Sequence, residues 1–263
     1  MPKLLWRPHP DQEFNTAMLH RLRGSNKLNW GYVLGEILVV VVGITIAFYV
    51  DAWWERRQEQ ARETEYLVGL QQDFEANRRL LGAAIAGQRN GLAAAEALLA
   101  MIHADAEAPS TDSLNVLIIH AFFMHSFDPV TLTYDDLINS GGIKVIRDDS
   151  LRIALAAFAG RLGTNELVEK TANDQWNQIN HPFFNSRLDF VEILRLGKPS
   201  AADLPPSRFQ LDLQQFLVDR TFSNIVAGRW AVADDVQRVH ISLAGHTNEI
   251  LRLISKRLDE AGE

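Results

Sequence analysis

The chain has 263 residues, no cysteine and a formal net charge of −7 at pH 7. The missing cysteine excludes a disulfide scaffold, a thiol nucleophile and cysteine-ligated metals. The acidic balance argues against a nucleic-acid surface.

Residues 1–30 are the exception to that balance: Lys3, Arg7, Arg21, Arg23 and Lys27 outnumber Asp11 and Glu13. Phe14, Met18, Leu19 and Leu22 recur at helical spacing. This arm reads either as a short amphipathic helix on a membrane face or as a tail. It is too short for a catalytic or DNA-binding domain.

The run from Gly31 to Val50, GYVLGEILVVVVGITIAFYV, is apolar except for Glu36. A bilayer core requires about 20 such residues at 1.5 Å rise each. Trp30, Tyr32, Trp53 and Trp54 bracket the run as an aromatic belt. A secretory h-region is shorter and ends at a small-residue cleavage site, so a retained anchor is the better reading. Basic residues near a span stay in the cytoplasm, and Arg21, Arg23 and Lys27 precede it. The expected organisation is a cytoplasmic arm over 1–30, a transmembrane helix over 31–52, and an extracytoplasmic helical domain over 53–263 in a bacterial inner membrane. The absence of cysteine is compatible with a periplasm.

At 100° per residue, Gly43, Ala47 and Val50 share a narrow sector with Glu36, and Gly31 and Gly35 add a second small pair. This membrane helix-packing face, Glu36, Gly43 and Ala47, points to self-association. Two other readings of Glu36 stay open: snorkelling to the nearby interface, and proton or ion coupling.

From Asp51 to about His103 no proline intervenes, and Leu67, Leu70, Phe74, Leu81, Ile85, Leu92, Ala95, Leu99 and Ile102 recur every three or four residues. One long helix is expected, weakened at Gly82, Gly87 and Gly91. A turn over 104–112 leads to a buried helix over Leu114–Met124, with Ser110 or Thr111 as its cap. After Pro129, Thr131 or Thr133 caps a short helix that Gly141-Gly142 ends. Ile143–Ile146 reads as an extended link, and Asp148 or Asp149 caps a helix from Ser150 to about Gly160. A further helix over Thr164–Leu196, broken at Pro182, precedes a loop over Gly197–Ser207. A last helix spans Leu213–Leu258, with a stripe of Val232, Val236, Val239, Leu243, His246, Ile250 and Ile254. His246 reads as a core histidine. The fold class is all-α: one transmembrane helix continuing into an up-and-down bundle of about four main helices.

Three stretches, GEILVVVVGITIAFYVDAWWE, ETEYLVGLQQDF and FDPVTLTYDDLINSGGIKVIRDDSLRIAL, together resemble a family of uncharacterised bacterial single-pass membrane proteins catalogued only as a domain of unknown function. The matching positions are Gly35-Glu36, Asp51 and Trp53, and Thr133-Tyr134-Asp135, Leu137 and Ser140-Gly141. The resemblance implies the same topology and no known activity.

The sequence contains no HExxH, no Glu-x-x-His, no G-x-S-x-G and no S-x-x-K. No metal site and no cofactor are expected, and Asp135-Asp136 and Asp148-Asp149 read as helix caps. The candidate ligand or partner surface is Thr133, Tyr134, Asp135, Asn139 and Ser140, because loops carry function more often than cores. The alternative is that Tyr134 and Leu137 plug the bundle while the polar residues cap it. The leading expectation is a non-enzymatic, membrane-anchored helical module that self-associates or docks on a membrane partner. A sensor-like ligand-binding domain that signals through a partner is the runner-up. The expected partners are the lipid bilayer and a second copy or another membrane protein, with no nucleic acid.

Overall fold

The computed structural model describes residues 30–104, 110–209 and 212–262. The arm expected over 1–30 lies outside these residues apart from Trp30, and so does most of the expected 104–112 turn. The protein is all-α, with no strand among the described residues. The elements are α1 (Trp30–His103), α2 (Thr111–Phe122), α3 (Leu132–Asn139), α4 (Asp149–Gln175), α5 (His181–Arg187), α6 (Phe190–Gly197), α7 (Leu213–Leu217) and α8 (Arg220–Gly262). The chain divides into two units, residues 1–57 and 58–263.

In the first unit α1 is one uninterrupted helix, and every residue from Leu34 to Arg57 is exposed. Thr45 Oγ1 donates to the Val41 carbonyl at 2.8 Å, so even the hydroxyl is satisfied within the helix. Among the described helices this one is long and apolar enough to cross a membrane, and it lies near the N-terminus.

The second unit is built on three long helical stretches with stripes of strict three-four spacing. On α1 the stripe is Glu63, Leu67, Leu70, Phe74, Asn77, Leu81, Ala84 and Gln88, all buried. On α8 it is Phe222, Val226, Arg229, Ala233, Val236, His240, Leu243, Thr247, Ile250 and Ile254, also all buried. On α4 it is Leu151, Leu155, Phe158, Asn165 and Ala172. Such a repeat keeps one seam facing its neighbours along the whole helix. Glu63 meets Arg257, Gln88 meets Ala233 and Glu96 meets Trp230, so α8 runs antiparallel to this part of α1.

Two apolar cores result. The first joins Leu67, Leu70 and Phe74 of α1 to Leu137 of α3, Leu155 and Phe158 of α4, and Leu243 to Ile254 of α8. The Phe74 and Phe158 rings sit edge to face at 4.9 Å. The second joins Ala95 and Leu98 of α1 to α2, α5, α7 and the start of α8, with Phe216 and Phe222 rings 4.2 Å apart.

Several boundaries differ from the sequence reading. Residues Gly142–Val145 form a 3-10 turn rather than an extended link. Gly141, at φ 71°, reverses the chain, and the tight turn that follows delivers Ile146 fully into the core. The helix expected to stop near Gly160 continues to Gln175, because the apolar stripe of α4 runs on past Gly160 and Gly163. Pro182 does not break the helix either. A π turn over Trp176–Asn180 joins α4 to α5, and the His181 N–H reaches the Trp176 carbonyl. That widened turn relieves the clash between the proline ring and the preceding turn. The break falls instead at Leu188–Asp189, where the Asp189 side chain caps α6. The last helix is split at Asp219, whose carboxylate takes the Thr221 N–H at 2.7 Å. His246 is only half-buried; the core histidine is His240, one turn and a half earlier.

Two glycines expected merely to weaken α1 behave differently. A Cβ at Gly82 would meet nothing within 4 Å, whereas one at Gly87 would overlap the His125 ring. Gly82→Ala should therefore stabilise the domain by about 0.5–1 kcal/mol through helix propensity. Gly87→Ala should destabilise it by at least as much, because His125 must be displaced. Chemical denaturation of the two variants checks both signs.

Candidate functional site

Between α2 and α3 the chain runs without helix over residues 123–131. Its backbone groups need partners that no ladder supplies. Side chains of the long helices supply them. Arg229, buried on α8, donates from Nε to the Ala121 carbonyl at 2.9 Å and from Nη2 to the Phe123 carbonyl at 2.8 Å. It closes the C-terminal end of α2, where a cation is favoured. The Phe127 N–H donates to Glu169 Oε1 at 2.9 Å. Asn77 clamps Val130 at two points: Nδ2 donates to its carbonyl at 2.8 Å, and Oδ1 accepts its N–H at 2.7 Å. Asp73 Oδ2 accepts the Thr133 N–H at 2.8 Å. Beyond α3, Glu63 Oε1 accepts the Arg147 N–H at 2.8 Å while its carboxylate pairs with Arg257 at 3.3 Å.

The segment Thr131–Gly142, which carries the candidate surface, is part of this seam. The Thr133 side chain stands over Gly69, where a Cβ would come within 2.8 Å of it. Tyr134 is half-buried against the first core and Leu137 is fully buried within it. Asp135 accepts from the Thr131 hydroxyl at 2.7 Å in the first turn of α3. Asn139 is exposed, and Ser140 Oγ lies 3.4 Å from the Tyr66 hydroxyl. Tyr66 also donates to Asp136 at 3.0 Å. A shallow polar cleft of about 830 Å³ follows this contact, with Thr133 and Ser140 in its wall beside Arg62, Tyr66 and Asp136. Tyr134, Asp135 and Asn139 are not part of that wall.

A polar belt separates the two apolar cores. Gln88 Nε2 donates to the Ala233 carbonyl at 3.0 Å, and His240 Nε2 lies 3.1 Å from Glu169 Oε1. His125 and Arg229 share a narrow cavity with Gln88 and Glu169. Burial lowers the Arg229 guanidinium to about 10, so it stays charged at neutral pH. Burial first, then the charges of Arg229, His120 and His240, hold His125 below its ordinary value of 6.5. Burial pushes the Glu169 carboxyl up, but hydrogen bonds from His240, the Phe127 amide and Asn165 outweigh it and hold the group below 4.5. Among the described residues no group of three or more acidic or histidine side chains is placed to hold a metal ion.

A second cavity, of about 480 Å³, opens between α2, the π turn, α5 and α6. Ile119, Phe122, Trp176, Phe190 and Ile193 dominate its wall. The sequence reading did not anticipate it, because the π turn and the α5–α6 break that shape it were not foreseen. Pro182, set within a helical pattern, is the one residue that hinted at an irregular turn.

No family model, curated protein or solved structure matches the chain. The resemblance of the three stretches to a family of unknown function thus finds no support among these comparisons.

The seam makes the domain acid-sensitive. Both His125 and Glu169 are held below their ordinary values, so each contributes stability that is present above that value and lost as pH falls through the folded one. The melting temperature should fall as pH drops below about 6.5, and again below about 4.5. Glu169→Gln should reduce the second step without removing it, because Asp219 and Glu249 are also held below their ordinary values by hydrogen bonds; thermal unfolding followed by circular dichroism across pH will show this.

Proposed function

We propose that the protein is a non-enzymatic, membrane-anchored helical module that self-associates, or docks on another membrane protein, through its span. One observation carries this reading: α1 exposes every side chain from Leu34 to Arg57, including an unbroken apolar run with one carboxylate in it. Apolar surface of that extent in water costs about 25 cal/mol per Å², and a bilayer removes that cost. Glu36 in hydrocarbon then calls for a polar or close-packed partner, which small residues on the same face admit. Gly35 and Gly43 leave open space around them for such an approach. Arg21, Arg23 and Lys27 before the span favour an N-terminus inside the cytoplasm and a domain outside it, in the bacterial inner membrane, by a modest contrast with Arg56, Arg57 and Arg62 after it. The sequence supports the absence of catalysis, since it carries no nucleophile or metal motif.

A second reading, a ligand-binding domain outside the membrane, is favoured by the apolar cavity of the second unit.

The cysteine-free sequence suits single-cysteine crosslinking in membranes. Ala47→Cys, on the Glu36 face, should give a disulfide dimer. Thr45→Cys, about 180° away around the helix, should not. Gly43→Ile should abolish the dimer of Ala47→Cys. A monomer at both positions, indifferent to Gly43→Ile, would remove self-association and leave docking on another protein, read by co-purification. A reporter active only outside the cytoplasm, fused after Glu263, should be active; silence would invert the topology.

A further inference from the structure

The apolar cavity of the second unit has the features of a ligand site rather than a packing fault. Its volume of about 480 Å³ falls among those that hold small molecules. It arises where the helical path is irregular: the π turn over Trp176–Asn180 rotates Trp176 toward α2, and α5 ends after only two turns. Single π turns often mark functional positions in helices. Trp176 and Phe122 rings lie 6.5 Å apart at one side of the cavity.

The polar groups of the wall are few and asymmetrically placed. Among its described residues Lys198 is the one charge and Asn173 the one side-chain amide. Lys198 follows α6 directly, at the edge of the apolar surface, and is exposed. Of the acidic residues nearest in sequence, Asp203 makes no ion pair with Lys198 among the described residues, and Glu192 is already engaged by Arg195 at 3.2 Å and by the Ser207 N–H at 2.7 Å. An apolar cavity of this volume with one ammonium at its rim is complementary to an apolar chain with one anionic end. A neutral hydrocarbon would leave the ammonium unused, and a polyanion would find no second cation in the wall.

We propose that this cleft binds a single-chain carboxylate, with its hydrocarbon tail against Trp176, Phe190 and Ile193 and its head group at Lys198. The inference rests on the second unit alone and does not depend on how the span associates. The lysine sets the polarity of the bound chain, and the aromatic walls supply the bulk of the binding energy.

The test uses the full chain in lipid nanodiscs and a dodecanoate carrying a diazirine on its tail. Irradiation should label peptides within 118–124 and 184–198, and unlabelled dodecanoate should compete. Dodecanol should compete at least fivefold more weakly, and Lys198→Gln should weaken labelling about fivefold, the scale of one exposed charge pair. Ile193→Trp, which fills the cleft, should abolish labelling while circular dichroism and thermal unfolding report an intact domain. Should that variant fail to fold, Lys198→Gln, at an exposed position, decides. Label confined to residues 31–54 would show partition into lipid only and overturn the proposal. Equal competition by dodecanol together with an unaffected Lys198→Gln would overturn the carboxylate assignment.

Discussion

Asn77 takes both the N–H and the carbonyl of Val130, 53 residues away, at 2.7 and 2.8 Å. The second unit depends on that kind of bond. The chain must return from the far end of α1 to the start of α3, and it does so without helix over residues 123–131. A backbone laid against a helix bundle loses water and gains no ladder, and each unpaired group costs about 1–3 kcal/mol. Asn77, Glu169 and Arg229 each present a polar side chain where one of these backbone groups arrives, while Asp73 and Glu63 hold the Thr133 and Arg147 amides beyond it. The non-helical return is thus held by side chains of three different helices, and its position along α1 is fixed by where those side chains stand.

The same residues divide the interior. Apolar stripes alone would let α1, α4 and α8 slide by a heptad with little penalty. Buried polar groups with assigned partners make such a slip expensive. Gln88 meets the Ala233 carbonyl, Glu169 meets His240, and Arg229 meets the end of α2. Each bond belongs to one register only. Gly87 adds a steric term, since the His125 ring occupies the space a side chain would need. The belt therefore trades the larger apolar core it interrupts for a single alignment of the helices.

Much of this was legible in the residues. The all-α class, the long first helix and its apolar start follow from periodicity, the absence of proline between residues 31 and 103, and the uninterrupted run before Asp51. Of the caps offered by side-chain chemistry, Ser110 rather than Thr111 starts α2 and Asp148 rather than Asp149 starts α4, while the Thr131 side chain makes no capping bond to α3; Gly141 ends α3 through its positive φ. The seam was not legible, because its bonds join positions far apart in sequence, and a polar residue on an apolar stripe reads as an interruption. Glu63, Asn77 and Gln88 nevertheless fall at the same three-four spacing as Leu67, Leu70 and Phe74. On α8 the expected stripe holds at Val236, Val239, Leu243, Ile250 and Ile254, while Val232 and His246 give way to the buried Ala233, His240 and Thr247. Of the candidate surface, Thr133 and Ser140 do line a cleft, while Tyr134 and Asp135 serve the packing and start of α3. The apolar cavity depends on a π turn, which local propensity does not announce.

The second unit thus combines long helices in a fixed register with a cavity whose walls are mostly apolar. The non-helical return is locked by side chains and is not a loop free to open. Hydrogen exchange of the full chain in nanodiscs measures this directly at the Phe127 and Val130 amides, neither of which lies in an α-helix. With the return locked, these amides should exchange as slowly as core amides in α1 and α8, near the limit set by global unfolding. Exchange of these amides at the rate of an open surface loop would contradict it.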